Sequence, residues 1–161
     1  MNSFCLDANI YIQAKNGPYG FDIVPGFWTW LDTLLIKGDI YSPNMVYEEL
    51  IAGKDQLSDW AKERKNSGLF QNPSADIQSF FGEIATHVVE TYPTHHHQPF
   101  LEGADPWVIA HAKINTSIVI TSEKFLKGNP QKVKIPNVCK VFDVIYIDIY
   151  AFLRKTGAKF N

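Results

Sequence analysis

Phe4-Cys5-Leu6-Asp7-Ala8-Asn9 decides how the rest of the chain is read. Three apolar residues run into an aspartate, with an asparagine two positions further on. A short apolar run closed by polar residues predicts a buried strand of a parallel sheet. In open α/β sheets ligands lie just beyond the carboxyl ends of the strands, and Asp7 and Asn9 occupy that place. An aspartate there also serves simply to close a loop. The functional reading therefore depends on other carboxylates reaching the same edge.

Outward from that stretch, Ile10-Tyr11-Ile12 prolongs the apolar run, and Lys15-Asn16-Gly17-Pro18-Tyr19-Gly20 supplies a turn-rich loop. Pro25 and Gly26 open a helix whose apolar face carries Phe27, Trp30, Leu31, Leu34 and Leu35, and which stops at Gly38. Trp28 is a candidate exposed contact for a partner. Ile40-Tyr41 is a short candidate strand, and Ser42-Pro43 reads as an N-cap followed by a first-turn proline. The next helix carries Val46-Tyr47-Glu48-Glu49-Leu50 and ends near Gly53; another spans Leu57 to Arg64 with Trp60 inward. Ile77, Phe80, Phe81, Ile84, Ala85, Val88, Val89 and Tyr92 form the cleanest amphipathic helix in the chain.

Pro93 to Pro99, which includes His95-His96-His97, reads as a loop. Asp105 and Pro106 predict the N-cap and first turn of a helix through Ala112, with His111 on its surface or in a groove. Ser117 to Thr121 is the best strand, β-branched and apolar, and it runs into Ser122-Glu123-Lys124. Lys134-Ile135-Pro136 reads as extended and Val138 to Val141 as an edge strand. Val141 to Tyr150 alternates like a strand, yet Ile145, Ile149, Phe152 and Leu153 fit a helical face, so a terminal helix from about Asp143 to Lys155 is preferred. Strands alternating with helices imply an α/β sandwich on a parallel sheet.

The 161 residues are expected to form a single domain, large enough to build a core without disulfides or metal. A net charge of -2 excludes general coating of a polyanion, so any nucleic-acid contact must come from a local patch. Cys5 and Cys139 both lie in apolar runs and read as free thiols of a reducing compartment. No basic leader and no run of membrane-spanning length is present, so a cytoplasmic protein without a membrane partner is expected.

Four carboxylates fall at comparable places: Asp7 after the first strand, Glu49 on the helix after the second, Asp105 opening a helix, and Glu123 after the strongest strand. A parallel sheet gathers its strand ends at one edge. Clustered carboxylates raise one another's pKa unless positive charge sits among them. Mg²⁺ or Mn²⁺ meets that need with oxygen ligands and retained waters. Each residue also has an ordinary role: Asp105 caps a helix, Glu48 and Glu49 favour helix, and Glu123 pairs with Lys124 or Lys127. Consecutive side chains such as His95, His96 and His97 diverge and seldom hold one ion. Lys124, Lys127, Lys132 and Lys134 either hold a phosphate backbone beside the site or form a solvated loop.

Leu6-Asp7-Ala8-Asn9, Val46 to Leu50, Ala104-Asp105-Pro106-Trp107-Val108-Ile109-Ala110 and Val119-Ile120-Thr121-Ser122-Glu123 resemble, in that order, the motifs of PIN-domain nucleases. Phe27-Trp28-Thr29-Trp30 and Lys134-Ile135-Pro136 are similar to a VapC-like branch of PIN proteins, of the domain-of-unknown-function-4411 type. The resemblance covers nearly the whole chain. It implies a PIN-like three-layer α/β/α sandwich with strand order 3-2-1-4-5 and a Mg²⁺- or Mn²⁺-dependent endoribonuclease. It implies metal ligands at Asp7 and Asp105, with Glu49 and Glu123 completing the site and Asn9, Thr121 and Ser122 as polar support. It further implies water attack on RNA leaving a 5′-phosphate and a 3′-hydroxyl, an antitoxin partner and a homodimer. The family more usually has aspartate at the fourth acidic position, where this chain has Glu123, whose longer arm is suited to acting through water. Of the doubled glutamates, the one directly before Leu50 fits the motif better. Under the implied strand order the strands of Cys5 and Cys139 stand about 10 Å apart, too far for a disulfide. A catalytically inactive PIN-like module that binds RNA or protein is the alternative. A haloacid-dehalogenase-type phosphotransferase would need an aspartate where Asn9 stands.

Overall fold

β1 (Phe4–Leu6) is buried along its whole length, as a central parallel strand must be. The computed structural model describes residues 3–128 and 131–160. It pairs β1 with β2 (Ile40–Pro43) on one side and β4 (Ile118–Ile120) on the other, in registers that set Cys5 beside Tyr41 and Val119. Two-residue strands β3 (Phe70–Gln71) and β5 (Tyr146–Ile147) complete the sheet, all parallel and in the order 3-2-1-4-5. The ladder continues one residue past the strands: Asp7 N donates to Ile120 O and Thr121 N to Ile147 O. Asp7 and Thr121 therefore leave the sheet side by side.

The connecting helices are α1 (Ala8–Asn16), α2 (Pro25–Lys37), α3 (Asn44–Ala52), α4 (Gln56–Glu63), α5 (Ala75–Thr91), α6 (Thr94–Glu102), α7 (Asp105–Asn115), α8 (Ile135–Val141) and α9 (Ile149–Lys155). Successive side chains of a strand point to opposite faces. Phe4 meets Phe152 of α9, with ring centroids 5.0 Å apart, whereas Cys5 Sγ donates to Val108 O of α7 at 3.7 Å. The sheet thus has a cover on each face. One is aromatic: Trp30 of α2 lies 5.3 Å from Phe152, and Trp28 of α2 lies 5.1 Å from Trp60 of α4. The other is built on α7, which packs against α5, α6 and α8. This is the three-layer α/β/α sandwich that the resemblance implies. Asp7 follows Cys5 by two and keeps an extended backbone (φ -69°, ψ 150°), so its side chain points to the α7 face.

Several local expectations are corrected. Ser42 is the third residue of β2 and caps nothing; its hydroxyl donates to Leu6 O and contacts Tyr11 OH, and Pro43 is the extended residue before α3. Ile10-Tyr11-Ile12 belongs to α1, whose buried residues Ala8, Ile10, Tyr11 and Ala14 follow helical spacing. Pro93 to Pro99 is not a loop: Pro93 O accepts from the amides of His96 and His97 and starts α6. Ile135–Val141 forms α8 instead of extended chain and an edge strand, with Lys134 alone extended as its N-cap, because Ile135, Val138 and Cys139 recur at helical intervals and face the core. The terminal helix begins at Ile149, after β5, where the Asp148 carboxylate accepts from Ala151 N. Trp28 is buried, its indole N–H donating to Tyr19 O. His111 is wholly buried and not a surface residue. Both cysteines are free, but Cys139 stands on a helix, so strand spacing is not the reason.

Candidate active site

Asp7 is 1% exposed, and its two carboxylate oxygens have different surroundings. Oδ2 accepts from Thr121 Oγ1 at 3.1 Å, and Thr121 Oγ1 in turn accepts from Glu123 N at 3.1 Å. Oδ1 is buried with no hydrogen-bond partner. A charged oxygen left so is costly to bury unless something positive reaches it.

Asp105 is the first residue of α7, and not its cap: Ala104 holds the N-cap position. Its place is fixed from outside, because Glu49 Oε1 accepts from Ala104 N at 3.0 Å across 55 residues of sequence. Glu49, and not Glu48, is the residue that turns this way. Glu123 does the same for the next helix, its Oε1 accepting from Ile135 N at 2.7 Å at the start of α8. Each glutamate therefore ties down the start of a helix while its charge stays beside the aspartates.

The electrostatics bear this out. Burial first, then the Glu123 charge and the weaker Glu49 charge, push the Asp7 carboxyl up to about 7 against the lowering bond from Thr121. Burial pushes Asp105 up to about 8, with Asp7, Glu123 and Glu49 adding to it and Lys134 acting in the opposite sense. Asp7 thus feels the charges of both glutamates, and Asp105 feels those of the other three carboxylates.

The side chains do not converge on one point: among the described residues, no group of three or more His, Cys, Asp or Glu stands as a ready cage for a metal ion. Both glutamates are turned to main-chain amides, which accounts for it. A small hard cation that keeps several waters needs only one or two direct carboxylates. The partnerless Asp7 Oδ1 and the all-oxygen donor set fit such an ion, which Asp7 and Asp105 would hold.

The remaining candidates divide. Thr121 is buried and bonded to Asp7; Asn9, in the first turn of α1, and Ser122 are half-buried at the same edge. Lys132 and Lys134 line a cleft of about 330 Å³ that contains Asp105. Lys124 lines a different hollow of about 350 Å³ with Glu123, and Lys127 is exposed and lines neither. Two features escaped the sequence. His95 and His96 line the Asp105 cleft, which a loop would not have predicted. Asp148 follows β5 and lines the Glu123 hollow; its signal was an apolar pair closed by an aspartate, like β1 and Asp7.

Among solved structures the chain is similar to VapBC2 from Rickettsia felis bound to a DNA fragment from their promoter (TM-score 0.52, 15% identity, 90% of this chain and 97% of that one). It is similar also to FitAcB from Neisseria gonorrhoeae (TM-score 0.54, 17% identity, 89% and 96% covered). A third is FitAB bound to IR36 DNA fragment (TM-score 0.54, 15% identity, 90% and 94% covered). At these identities the likeness is one of fold. No curated protein matches the chain. Residues 4–160 match the family described as a domain of unknown function, DUF4411, a span that includes all four carboxylates. The chain belongs to the DUF4411 family.

Proposed function

We propose that this protein is a PIN-type endoribonuclease that depends on Mg²⁺ or Mn²⁺ and hydrolyses RNA phosphodiesters. One observation carries the reading: beyond the carboxyl ends of β1 and β4 a buried Asp7 oxygen has no partner, and the Asp7 and Asp105 carboxyls both feel the charges of Glu49 and Glu123. A bound dication would supply the positive charge this edge lacks, polarise a phosphoryl oxygen and make water nucleophilic near neutral pH. Asp7 and Asp105 would hold the ion. Thr121 fixes the orientation of Asp7, and Glu49 and Glu123 fix the starts of α7 and α8 while adding negative charge. Lys124, Lys127, Lys132 and Lys134 supply cationic contacts to the RNA backbone. Water attacks in line, so the cut leaves a 5′-phosphate and a 3′-hydroxyl.

The similar folds were solved as VapBC2, FitAcB and FitAB. With the sequence motifs they support a toxin–antitoxin role, in which an antitoxin protein would cover the site; a homodimer rests on the sequence resemblance alone. The protein acts in the cytoplasm, where its RNA is; among the described residues no helix is long and apolar enough to cross a membrane.

Purified protein, free of any antitoxin, should cut single-stranded RNA with Mn²⁺ or Mg²⁺ and stop on adding EDTA. Folded Asp7→Asn should not cut, which separates this activity from a contaminating nuclease. Products ending in a 2′,3′-cyclic phosphate would refute the mechanism even if RNA were cleaved. RNA bound but never cut would favour the inactive binding module.

A further inference from the structure

The histidine tract does not act as a unit. His97 is held to the main chain, its Nδ1 2.9 Å from Tyr92 O. His95 and His96, with ring centroids 4.1 Å apart, instead line the Asp105 cleft with Pro99 and Phe100 of the same helix, opposite Lys132 and Lys134. Phe100 is buried and anchors α6, so the histidines ride on a fixed wall. Lys134 is near enough for its charge to be felt at Asp105. In a chain of net charge -2, two ammonium groups and two imidazole donors gathered on one side of an acidic site form a local patch able to bind an anion.

We infer that His95, His96, Lys132 and Lys134 form a subsite for the RNA phosphate next to the one at the carboxylates, so that α6 and the 132–134 segment grip the strand from two sides. This rests on the ribonuclease reading. A second metal held by the histidines themselves is disfavoured, since neighbouring histidine side chains diverge. RNA is favoured over an acidic peptide because the cleft leads to Asp105, which a phosphodiester must reach under the ribonuclease reading. The imidazoles and ammonium groups donate to phosphate oxygens, and Pro99 offers an apolar surface to a sugar or base.

The test compares His95→Ala/His96→Ala, Lys132→Ala/Lys134→Ala and Lys132→Arg/Lys134→Arg with wild type, with His87→Ala on α5 as the control. Melting curves confirm that each is folded. Each alanine pair should raise KM for RNA about tenfold, the worth of losing charge-assisted hydrogen bonds. The arginine pair should restore KM, and His87→Ala should match wild type. In an Asp7→Asn background, the lysine pair should flatten the salt dependence of single-stranded RNA binding by about 1.4 logarithmic units per decade, at ~0.7 per charge. Wild type that cuts RNA while both alanine pairs keep its KM and salt slope would overturn the inference and leave the nuclease standing. A fall in kcat with KM unchanged would also overturn it, by moving the histidines to the reacting atoms. Loss of antitoxin binding alone, with RNA kinetics intact, would assign the cleft to the protein partner. Wild type that neither cuts nor binds RNA would overturn both.

Discussion

The two ends of the central strands are built on opposite terms. Toward the amino ends, Ser3 Oγ and Ser117 Oγ stand 2.7 Å apart, Tyr41 OH donates to Ser117 Oγ at 2.9 Å, and Asn115 Nδ2 donates to Tyr41 OH at 3.1 Å. These groups are neutral and their bonds interlock. At the carboxyl ends, Asp7, Thr121 and Glu123 form a similar short chain of hydrogen bonds, yet it ends on a buried carboxylate that has an oxygen without a partner and feels the Glu123 and Glu49 charges. A closed neutral network rigidifies a fold. An open, charged one is a poor way to stabilise a fold and suits the binding of a cation. The contrast separates what holds the sheet together from what the sheet presents.

The largest effect that would break the contrast is on activity. Asp7→Asn keeps the side chain's size and removes the charge at the open end. Several kcal/mol of charge stabilisation at 1.36 kcal/mol per tenfold predicts a loss of about a thousandfold in RNA cleavage. Next come the glutamates. Glu49→Gln should lower cleavage about 10–100-fold, the scale of residues that act through a ligand, because it removes charge while an amide oxygen can still accept from Ala104 N. Glu48→Gln should stay close to wild type. The reverse order would mean that the helix presents the other glutamate.

A third effect appears in stability without any substrate. Asp7 and Asp105, raised to about 7 and about 8, keep protons in the folded chain at pH values where the unfolded chain has lost them. The stability this edge contributes is full below the unfolded value near pH 4 and is lost as pH rises through 7 and 8. The Tm of metal-free protein should therefore fall by about 5–10 °C between pH 6.5 and 8.5, and Mg²⁺ should remove most of that fall. The window matters because His111, buried with both ring nitrogens unpartnered and lowered to about 4, acts in the other direction. Its neutral form is favoured in the fold, so its contribution is lost as pH falls from about 6.5 toward 4. The smallest effect belongs to the closed end: Ser117→Ala should lower Tm by about 2–4 °C, the worth of ~1 kcal/mol, and leave the Mg²⁺-induced shift as it was.

Much of this was legible where one physical signal was long or unambiguous. α5 repeats its apolar residues over 17 positions and is capped by Ser74, so its period is plain. β1 and β4 are short, but each is an apolar run closed by a polar residue, which marks where the strand ends. Elsewhere the signals were too brief to separate. Three apolar residues, Ile10 to Ile12, fit a strand or a helix equally, and only the burial of Ala8, Tyr11 and Ala14 on one face distinguishes them. α8 was misread because its N-terminal partner, Glu123, lies 12 residues earlier and no local pattern reports it. The same distance problem hid the role of Glu49, whose bond to Ala104 exists only in the folded chain. His111 had a local signal that was passed over, standing three residues after Val108 on the apolar side of α7. β3 and β5, two residues each, carry no periodicity at all.

Mn²⁺ binding followed by titration calorimetry tests most directly whether the open end is a cation site. Wild type and Ser117→Ala should bind Mn²⁺ with the same affinity, whereas Asp7→Asn and Asp105→Asn should each bind it at least about tenfold more weakly. Equal affinity in all four proteins would contradict the account, because the ion would then sit somewhere other than among these carboxylates.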